Sequence, residues 1–394
     1  MRKPSKIMIV AGEASGDLHA SKLVKALREL SPDSEPIFFG SAGERMRQAG
    51  VEAVVRADDL SIVGLPEIGR ALPMFLRAFR ALKHAAAGRR PDVVVLVDFP
   101  DFNLKLAKAL KRQGFRIVYY ISPQLWAWRG YRIRTVRRYV DLVISILPFE
   151  KDWYAHRGLD QVEYVGSPLA REVHATEDKS AFATRHALDP EKPIVALLPG
   201  SRHKEIVRIL PVMLAAAADM LRSESSIQFV VALGSQKNLA DARSAIASAA
   251  DAGAHLDGKL TVVQGETFNA LNASDAAAVA SGTATLETAI IGTPMAIVYK
   301  TSSLNYRLLR PLIDVDHFGL INLIAGQRIA AELIQDDFTA RSLAGELFKL
   351  LEPAENQRVR GQLRIASDKL GHGGASRRAA LLILDLIEPS DESK

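Results

Sequence analysis

Short, almost wholly apolar runs recur along this sequence, and a segment long enough to form a helix follows each one. The runs lie at 7–10, 36–39, 93–97, 116–121 and 142–146, and again at 194–198, 228–232, 260–263, 276–279 and 295–299. A strand with one exposed face alternates apolar and polar residues, whereas a strand covered on both faces is apolar throughout, as in parallel sheets between helices. The pattern therefore predicts an α/β protein with two doubly wound, Rossmann-like domains that face a cleft.

The length of 394 residues fits two domains of about 150–200 residues each. Turn-forming residues at Gly166-Ser167-Pro168 and Asp189-Pro190 place the join between 165 and 193. We predict an N-terminal domain over 1–185, for an acceptor or lipid, and a C-terminal donor domain over 186–394. The helices after Phe338 return to the first domain or reach a partner, and a homodimer is left open. In open α/β sheets ligands bind beyond the carboxyl ends of the strands, so we expect the ligand in the cleft.

The composition excludes several classes of site. There are no cysteines, which rules out disulfides, thiolate metal sites and cysteine nucleophiles. No window reaches the roughly 18–20 uncharged apolar residues that cross a bilayer, and no motif of a nucleic-acid-binding module is present. The net charge of +6 is compatible with phosphate groups or an anionic membrane surface as partners. We expect a cytoplasmic protein that binds no nucleic acid and needs no cofactor.

The C-terminal half opens with an apolar run that leads into Pro199-Gly200-Ser201-Arg202. A glycine and a serine between a buried strand and a helix direct backbone N–H groups toward an anion. Arg202 adds a planar cation that suits two phosphate oxygens. An ordinary strand-to-helix turn with a solvated arginine gives the same sequence, so this segment alone leaves phosphate binding undecided.

A second segment of this kind follows the run at 276–279, where Ser281-Gly282-Thr283 begins a helix that contains Glu287. Gly282 and Thr283 can donate hydrogen bonds to a pyrophosphate, and Glu287 can accept the hydroxyl hydrogens of a ribose. Alternatively, Ser281 or Thr283 caps the helix and Glu287 stabilises its positive end. Two such helix starts in one domain favour a nucleoside diphosphate as the ligand.

The first apolar run leads into Gly12-Glu-Ala-Ser-Gly-Asp17, which is not the dinucleotide-binding fingerprint. Glu13, Asp17 and His19 would converge at the carboxyl end of the strand, where substrates bind. Glu13 is a candidate for catalysis or acceptor binding, and Ser15 and His19 are candidates for acceptor binding. A structural alternative makes Ser15 or Asp17 a helix cap and His19 a surface residue.

Asp98 directly ends the apolar run at 93–97. A carboxylate in that position is costly to bury, so it either accepts hydrogen bonds from loop N–H groups or is placed for reaction. As a general base it could take the proton of an attacking hydroxyl group. We prefer Asp98 to Asp101, because Asp101 lies one turn further on and could cap the next helix.

Two of the three tryptophans share the loop Ser122-Pro-Gln-Leu-Trp-Ala-Trp-Arg129. Trp126 and Trp128 suit an apolar or sugar-stacking wall. Arg129 begins a run of five arginines in ten residues, completed by Arg132, Arg134, Arg137 and Arg138. A solvated helix face is the commoner cause of such a run, but beside the tryptophans it indicates an acidic head group or a membrane surface equally well.

Phe75 and Phe79 belong to a predicted amphipathic helix whose apolar face also includes Leu72, Leu76 and Leu82. Such a face usually packs against the sheet. The other faces are basic, and a basic, phenylalanine-rich helix can instead lie in a membrane interface. Both interpretations are kept.

Together these segments resemble the lipid-A-disaccharide synthase family over nearly the whole chain. The motifs most specific to that family are Gly12-Glu-Ala-Ser-Gly-Asp17, Asp98-Phe-Pro-Asp-Phe-Asn103 and Ser122-Pro-Gln-Leu-Trp-Ala-Trp-Arg129, and Ile62-Val-Gly64 matches as well. Four further motifs are shared with nucleotide-sugar transferases in general: Leu147-Pro-Phe-Glu150, Leu198-Pro-Gly-Ser-Arg202, Ser281-Gly-Thr-Ala-Thr-Leu-Glu287 and Asn322-Leu-Ile-Ala-Gly326.

The resemblance implies an inverting glycosyltransferase of the GT-B type that acts in lipid A biosynthesis. Such an enzyme joins UDP-2,3-diacylglucosamine to 2,3-diacylglucosamine 1-phosphate and forms a β-1,6-linked disaccharide 1-phosphate and UDP. By position Asp98 matches the family's proposed base, Glu13 an important acidic residue, and Arg202, Glu287 and Asn322 donor-site positions. Since both substrates carry acyl chains, it also implies peripheral association with the cytoplasmic face of an inner membrane.

Asp314-Val315-Asp316 looks like the paired aspartates with which many glycosyltransferases hold a divalent metal. It does not follow a buried strand, and two helix starts with Arg202 could already neutralise a diphosphate. We predict a metal-free site in which these aspartates are a loop feature.

The sequence departs from the family at two places, with Ser167 where a histidine is common and Gly319-Leu-Ile321 where Ser-Leu-Pro is usual. Two alternatives to the transferase are kept. One is another UDP-sugar enzyme of the same fold, such as a UDP-N-acetylglucosamine epimerase or a transferase with a lipid-linked acceptor. The other is a non-catalytic nucleotide-sugar-binding module.

Overall fold

The computed structural model describes residues 4–60, 68–256, 258–302, 306–307 and 315–387, without the side chains of Asp59, 68–71 and Lys237. Three features of the sequence therefore lie outside the described residues: the motif at 62–64, Asp314 and the C-terminal residues 389–394. The chain divides into two compact units. The first comprises 1–168 and 373–394, and the second comprises 169–372.

The first unit is built on a seven-stranded sheet in which every neighbouring pair of strands is parallel, in the order β3-β2-β1-β4-β5-β6-β7. Its strands are β1 (Lys6–Val10), β2 (Ile37–Ala42), β3 (Glu52–Arg56), β4 (Val93–Val97), β5 (Ile117–Tyr120), β6 (Leu142–Ser145) and β7 (Val162–Tyr164). Its helices are α1 (Ala14–Glu29), α2 (Glu44–Gln48), α3 (Ala57–Leu60), α4 (Ile68–Arg89), α5 (Pro100–Lys111), α6 (Ile133–Tyr139) and α7 (Glu150–Ala155).

The second unit has a six-stranded parallel sheet in the order β10-β9-β8-β11-β12-β13. Its strands are β8 (Ile194–Leu198), β9 (Gln228–Leu233), β10 (Leu260–Gln264), β11 (Ala276–Ala280), β12 (Met295–Tyr299) and β13 (Ala331–Ile334). Its helices are α8 (Leu169–Glu172), α9 (Lys179–Arg185), α10 (His203–Ser223), α11 (Leu239–Asp251), α12 (Thr267–Ala273), α13 (Thr283–Ile291), α14 (Leu320–Ala325), α15 (Ala340–Leu351) and α16 (Pro353–Asp368).

Strand β1 shows why the apolar runs are continuous. Ile7 and Ile9 pack into the core on one side of the sheet, with α1, and Met8 and Val10 pack into the core on the other side, with α4 and α5. All four side chains are fully buried. Because successive side chains of a strand point to opposite faces, a strand covered on both faces must be apolar at every position. The predicted pair of parallel α/β sheets is confirmed.

The ten strands predicted from apolar runs are all present, and three further strands are not among the predictions. These are β3, β7 and β13, each of which lies at the edge of its sheet. Edge strands are less buried: every residue of β3 is at least partly exposed. The run of buried apolar residues that reveals a central strand is therefore absent from them.

The final helix, α17 (Ala375–Ile387), belongs to the first unit, where it packs against α1. Ala375, Ala379 and Ile383 join the core that contains β1, and Arg378 donates from Nε to the carbonyl of Val165 at 2.8 Å.

Residues 169–185, which the sequence analysis assigns to the first domain, belong to the second unit. Helix α9 packs against α12, and the ammonium group of Lys179 lies 3.0 Å from the Asp275 carboxylate ahead of β11. Among the described helices, none combines the length and the apolar character needed to cross a membrane.

Candidate active site

The junction between β4 and α5 holds Asp98 in an unusual backbone conformation. Asp98 and Phe99 both have positive φ angles, of 48° and 52°, in the left-handed region that non-glycine residues rarely adopt. Two such residues in succession cost free energy and are kept only where the surroundings fix them. The chain therefore turns sharply at the carboxyl end of a central strand.

Hydrogen bonds to the backbone hold this turn in place. The Asp98 carbonyl accepts from the side-chain amide of Asn103 at 2.7 Å and from the Tyr119 hydroxyl at 2.7 Å. The Asn103 amide also donates to the carbonyl of Val97, and the Asp98 N–H donates to the carbonyl of Tyr120. Asn103 is fully buried, so its amide is committed to the turn. The carboxyl group of Asp98 takes no part in these bonds and is left for other chemistry.

The Asp98 carboxyl group is half-buried, and its pKa is raised to about 6. Burial is the main cause, because it disfavours the charged form, and the nearby Glu13 carboxylate adds repulsion. A hydrogen bond from the Phe99 backbone acts in the opposite direction. A carboxylate with a pKa near 6 is a stronger base than an ordinary aspartate and is still ionised at neutral pH.

Gly12 allows the loop after β1 to approach Asp98. A Cβ atom at Gly12 would lie 2.3 Å from the Phe99 ring, so any larger residue would displace that ring. Glu13 follows as the N-cap of α1 in extended conformation, with no side chain capping the helix. The structure thus brings Glu13 and Asp98 together, because β1 and β4 are neighbours in the sheet.

The other predicted residues of this segment take different positions. Ser15 is exposed in the first turn of α1, and His19 is half-buried further along. Asp17 is buried, and its carboxylate accepts from the N–H groups of Arg45 and Met46 at 2.9 and 3.1 Å. The N-cap of α1 is Glu13, so neither Ser15 nor Asp17 takes that position. Asp17 instead stabilises the start of α2.

Trp126 is not part of an exposed wall, which corrects the prediction for this residue. It is 6% exposed, its indole N–H donates to Glu150 at 3.0 Å, and its ring packs edge-on against Phe149 at 5.1 Å. Glu150 is itself 1% exposed, and burial raises its pKa to about 7. These two residues join the loop to the start of α7 as part of the core.

Trp128 is exposed, and the Arg129 guanidinium stacks over its ring at 4.1 Å. Arg129 also donates to the exposed Asp101 carboxylate at 2.8 Å, and Arg132 donates to the same oxygen. Asp101 is therefore the counter-ion of two arginines. Trp128 and Arg129 remain accessible, as an acceptor-binding surface requires.

Phe75 and Phe79 are partly exposed and pack against α5, which favours packing on the protein over placement in a membrane interface. Both rings pack against Phe102 of α5, at 6.2 and 6.0 Å between centroids, and Phe75 also contacts Phe99. Among the described side chains of α4, the large apolar ones that are exposed are Leu72 and Leu76. The phenylalanines support the segment that carries Asp98.

In the second unit, the segment after β8 turns at Gly200, with φ of 107°, and leads to α10. The N–H groups of Ser201 and Arg202 donate to the carboxylate of Glu205 at 3.0 and 3.2 Å. The Arg202 guanidinium donates to the other oxygen of Glu205 at 2.7 Å, although Arg202 is largely exposed. The N–H groups that the sequence assigns to a phosphate are therefore bonded to a carboxylate of the same helix.

The start of α13 differs, because no side chain of the described residues caps it. Gly282 is the N-cap, with φ of 147°, and neither Ser281 nor Thr283 takes the capping role. The Ser281 hydroxyl donates instead to the carbonyl of Phe318 at 3.0 Å. An uncapped helix start of this length presents N–H groups and the positive end of the helix dipole to an anion.

A cavity of about 400 Å³ joins the two helix starts. Its lining includes Gly200, Ser201, Arg202, Glu205, Gly282, Thr283 and Glu287. Glu287 is half-buried, burial raises its pKa, and its carboxylate has no hydrogen-bond partner within the part of the chain that the structure describes. Six of the seven donor-site residues predicted from the sequence, all but Asn322, therefore line one cavity.

Asn322 lies apart from that lining and is fully buried. Its amide donates to the Ala330 carbonyl and to Glu332, both at 2.8 Å, and its oxygen accepts from the N–H groups of Ile329 and Ala330 at 3.0 Å. These bonds use its full capacity, so the geometry does not support direct contact with a ligand. Asn322 fixes the connection between α14 and β13.

Gly319 gives the local departure from the family pattern a physical reason. A Cβ atom there would lie 2.3 Å from the end of the Ile297 side chain and 3.2 Å from Glu332. The N–H of Gly319 donates to Glu332 at 2.9 Å. A serine in this position would require Ile297 to move.

A second cavity of about 400 Å³, which the sequence analysis does not predict, shares Gly234, Thr267 and Glu287 with the first. Its remaining lining comes from His174, Thr176 and the segment at 265–269. Gly234 and Gly265 directly follow β9 and β10 at the carboxyl ends of the strands. A glycine immediately after each strand is the sequence signal that could have identified this cavity.

Comparison with known proteins gives consistent results over the whole chain. The family model described as lipid-A-disaccharide synthetase matches residues 7–383. The lipid-A-disaccharide synthase of Syntrophus aciditrophicus is 42% identical over 386 residues, covering 98% of each chain. That of Geobacter sulfurreducens is 40% identical over 383 residues, covering 97% of each chain.

Solved structures with lower identity share the fold. A glycosyltransferase from Rickettsia africae is 11% identical with a TM-score of 0.60, over 99% of this chain and 100% of that one. The UDP-GlcNAc 2-epimerase of Neisseria meningitidis, solved with UDP-GlcNAc, is 13% identical with a TM-score of 0.62, over 98% of this chain and 100% of that one. Two parallel α/β domains of this kind are the GT-B architecture that the sequence analysis predicts.

Proposed function

The chain belongs to the lipid-A-disaccharide synthase family, and from that premise we propose that it transfers 2,3-diacylglucosamine from UDP to the 6-hydroxyl of 2,3-diacylglucosamine 1-phosphate. It is a glycosyltransferase of lipid A biosynthesis. The proposed transfer reaction rests on one observation: the Asp98 carboxylate has a raised pKa and is fixed beside Glu13 at a strained turn.

In the proposed reaction Asp98 is the general base. The acceptor's 6-hydroxyl oxygen attacks the anomeric carbon of the donor. The bond between that carbon and the UDP oxygen breaks on the opposite face, and the hydroxyl proton passes to Asp98. A sugar hydroxyl is a far weaker acid than a carboxylic acid, so the proton moves as the new bond forms. A single displacement of this kind inverts the anomeric centre and gives the β linkage.

The donor's diphosphate is proposed to bind in the cavity that joins the two helix starts of the second unit. The uncapped start of α13, at Gly282 and Thr283, supplies N–H groups, and Arg202 supplies a cation for the charge that develops on the leaving UDP. Glu287, with a carboxylate that has no other partner among the described residues, is proposed to accept hydrogen bonds from the ribose hydroxyls.

The acceptor is proposed to contact the first unit at Trp128, which is exposed, and Arg129, which is partly exposed and stacks on the Trp128 ring. Since both proposed substrates carry acyl chains, peripheral binding to the cytoplasmic face of the inner membrane is part of the proposal. The exposed Leu72 and Leu76 of α4 are apolar side chains suited to such contact.

The test is turnover of the two acylated substrates by the wild type and by Asp98→Asn, together with UDP binding. The substitution keeps the shape but removes the base, so we expect the rate to fall by about 10²–10⁴-fold with UDP affinity unchanged. Asp92→Asn is the matched control, because Asp92 lies ahead of β4 and, among the described residues, its carboxylate accepts from the Lys6 N–H alone. Normal turnover by Asp98→Asn would contradict the base assignment.

The two alternatives predict different results in the same assay. An epimerase would interconvert UDP-N-acetylglucosamine without an acceptor, and a binding module would bind UDP with no turnover. The lipid-A-disaccharide synthases that match nearly the full chain at about 40% identity favour neither.

A further inference from the structure

The carboxylate of Glu205 occupies the groups at the start of α10 that would otherwise be available to an anion. One oxygen accepts from the N–H groups of Ser201 and Arg202, and the other accepts from the Arg202 guanidinium. Three donors therefore converge on a single carboxylate. A phosphate group that binds at a helix start uses the same kinds of donor, N–H groups and an arginine fork.

The loop is shaped around this carboxylate. A Cβ atom at Gly200 would lie 2.4 Å from a carboxylate oxygen of Glu205 and 2.9 Å from its Cβ. The positive φ of Gly200, at 107°, also favours glycine at this position. The Glu205 side chain can therefore take this position only because residue 200 is glycine. The same side chain lines the cavity that contains Gly282 and Thr283.

The two helix starts that meet in this cavity are therefore in opposite states. The start of α13 has no capping side chain, whereas the start of α10 carries an internal anion that also neutralises Arg202. When a diphosphate enters the cavity, Arg202 can interact fully with it only by giving up its bond to Glu205.

We propose that Glu205 is an internal competitor of the donor diphosphate for Arg202, which sets UDP affinity below the value that Arg202 alone would give. This inference rests on the proposed donor site. It assigns Glu205 a role in tuning nucleotide affinity, in addition to the stabilisation of α10 that a carboxylate in this position provides. The consequence is that UDP leaves more readily, because Glu205 replaces the phosphate on Arg202.

The experiment is calorimetric measurement of UDP binding by the wild type and Glu205→Gln. The amide of glutamine keeps an oxygen that can accept from the N–H groups of Ser201 and Arg202, but it has no charge with which to hold the Arg202 guanidinium. We expect the Kd for UDP to fall by about fivefold or more, since charge-assisted hydrogen bonds are roughly twice as strong as neutral ones. An unchanged or larger Kd would overturn the proposal, because a residue that only caps α10 would not restrict UDP.

The matched control is Asp219→Asn. Asp219 lies in the same helix and pairs with Arg222 at the same spacing, at 2.7 Å, so its substitution removes an equal charge far from the cavity. The proposal predicts no change of UDP affinity in this control. An equal gain in both variants would mean that net charge alone is responsible, and would also overturn it.

A second variant protects the test against loss of folding. If Glu205→Gln proves unstable, Glu205→Asp keeps the charge near the helix start but shortens the reach to Arg202, and a smaller decrease of Kd in the same direction is expected. In an Arg202→Ala background, Glu205→Gln should give no gain, and a persisting gain would exclude competition for Arg202. If Arg202→Ala itself left UDP binding unchanged, the donor site proposed above would fail, which is a separate result.

Discussion

At the scale of single residues, the chemistry depends on carboxyl groups held in partly or fully buried positions. Asn103 and Tyr119 hold Asp98 in a turn in which its carboxyl group is half-buried, and this burial together with Glu13 raises its pKa to about 6. Asn103 and Tyr119 act by fixing the Asp98 backbone, which requires no contact with a substrate. The position of the Asp98 side chain is therefore set by residues that contact its main chain, and its pKa is raised by burial and by the charge of Glu13.

The pH dependence of kcat/KM follows from this arrangement. Asp98 must be ionised to accept a proton, so kcat/KM should fall about tenfold per pH unit below a pKa of about 6 and level off above it. In Glu13→Gln the repelling charge is absent, so the acid limb should move to lower pH. Rates from pH 4.5 to 8 in both proteins provide the measurement, and an acid limb that stays in place would show that Glu13 does not act on Asp98.

Glu150 is a buried carboxyl group that the proposed reaction does not use. Its pKa is raised from 4.5 to about 7, first by burial, which the hydrogen bonds from Trp126 and the backbone only partly offset. The pKa of Glu150 is higher in the folded protein than in the unfolded chain. The contribution of this group to the free energy of unfolding is therefore complete below about pH 4.5 and is lost as pH rises through about 7.

Glu150→Gln should remove this dependence, because the amide is neutral at every pH and can still accept from Trp126. At pH 8 we expect the variant to exceed the wild type in free energy of unfolding by up to about 3 kcal/mol, and the difference should shrink toward pH 5. Urea denaturation at the two pH values is the measurement. A constant difference between the two proteins would indicate that Glu150 is not the titrating group.

At the scale of elements, the active site depends on how closely two strand-to-helix junctions approach each other. The loop between β1 and α1 passes the Phe99 ring at Gly12, and Asp98 precedes that ring in the junction between β4 and α5. The rings of Phe75, Phe99 and Phe102 pack against one another and support the junction between β4 and α5. A change in either junction should therefore move the other.

Gly12→Ala tests this coupling. The new methyl group would lie 2.3 Å from the Phe99 ring, so the ring and with it Asp98 must shift. We expect a loss of about 1–3 kcal/mol in stability and a lower kcat at unchanged UDP affinity. Gly16→Ala is the control within the same motif, because its nearest neighbour would be 3.6 Å away, an ordinary contact. Equal effects of both substitutions would argue against the coupling.

The elements also show which strands can be predicted from sequence. Central strands such as β4 are buried at every position and appear as apolar runs. Edge strands contain charged residues with specific partners: Glu52 of β3 pairs with Arg89 at 2.5 Å, and Glu332 of β13 accepts from the N–H groups of Phe318 and Gly319. Because those partners are distant in sequence, a local pattern does not reveal the strands.

At the scale of the whole molecule, the chain returns to its first unit after completing the second. Helix α17 places Ala379, Ala380 and Ile383 in the same core as β1 and α1, and all three are fully buried. The core of the first unit is therefore completed by a segment that follows the second unit in the sequence.

Ile383→Ala should destabilise the first unit by about 2–5 kcal/mol, because it leaves a cavity in that core. Leu381→Ala is the matched control, since Leu381 is 49% exposed in the same helix and should cost less than about 1 kcal/mol. Thermal unfolding of both variants is the measurement. Similar losses in the two variants would contradict the packing of α17 on α1.

The sequence by itself determined the fold class, the family and the positions of the chemical groups along the chain. Burial on both sides of a parallel sheet demands continuous apolar runs, and polar residues directly after those runs must lie at one edge of the sheet. Asp98, Arg202 and Glu287 could therefore be named as candidate site residues without coordinates.

Only the tertiary structure decided which of the predicted side chains remain available to a ligand. Trp126 and Asn322 satisfy their polar groups inside the protein, Phe75 and Phe79 pack against Phe102, and Glu205 holds Arg202. A residue type indicates what a side chain can bind. Its partner is set by residues far away in sequence, whose distances are fixed only when the sheets and helices pack.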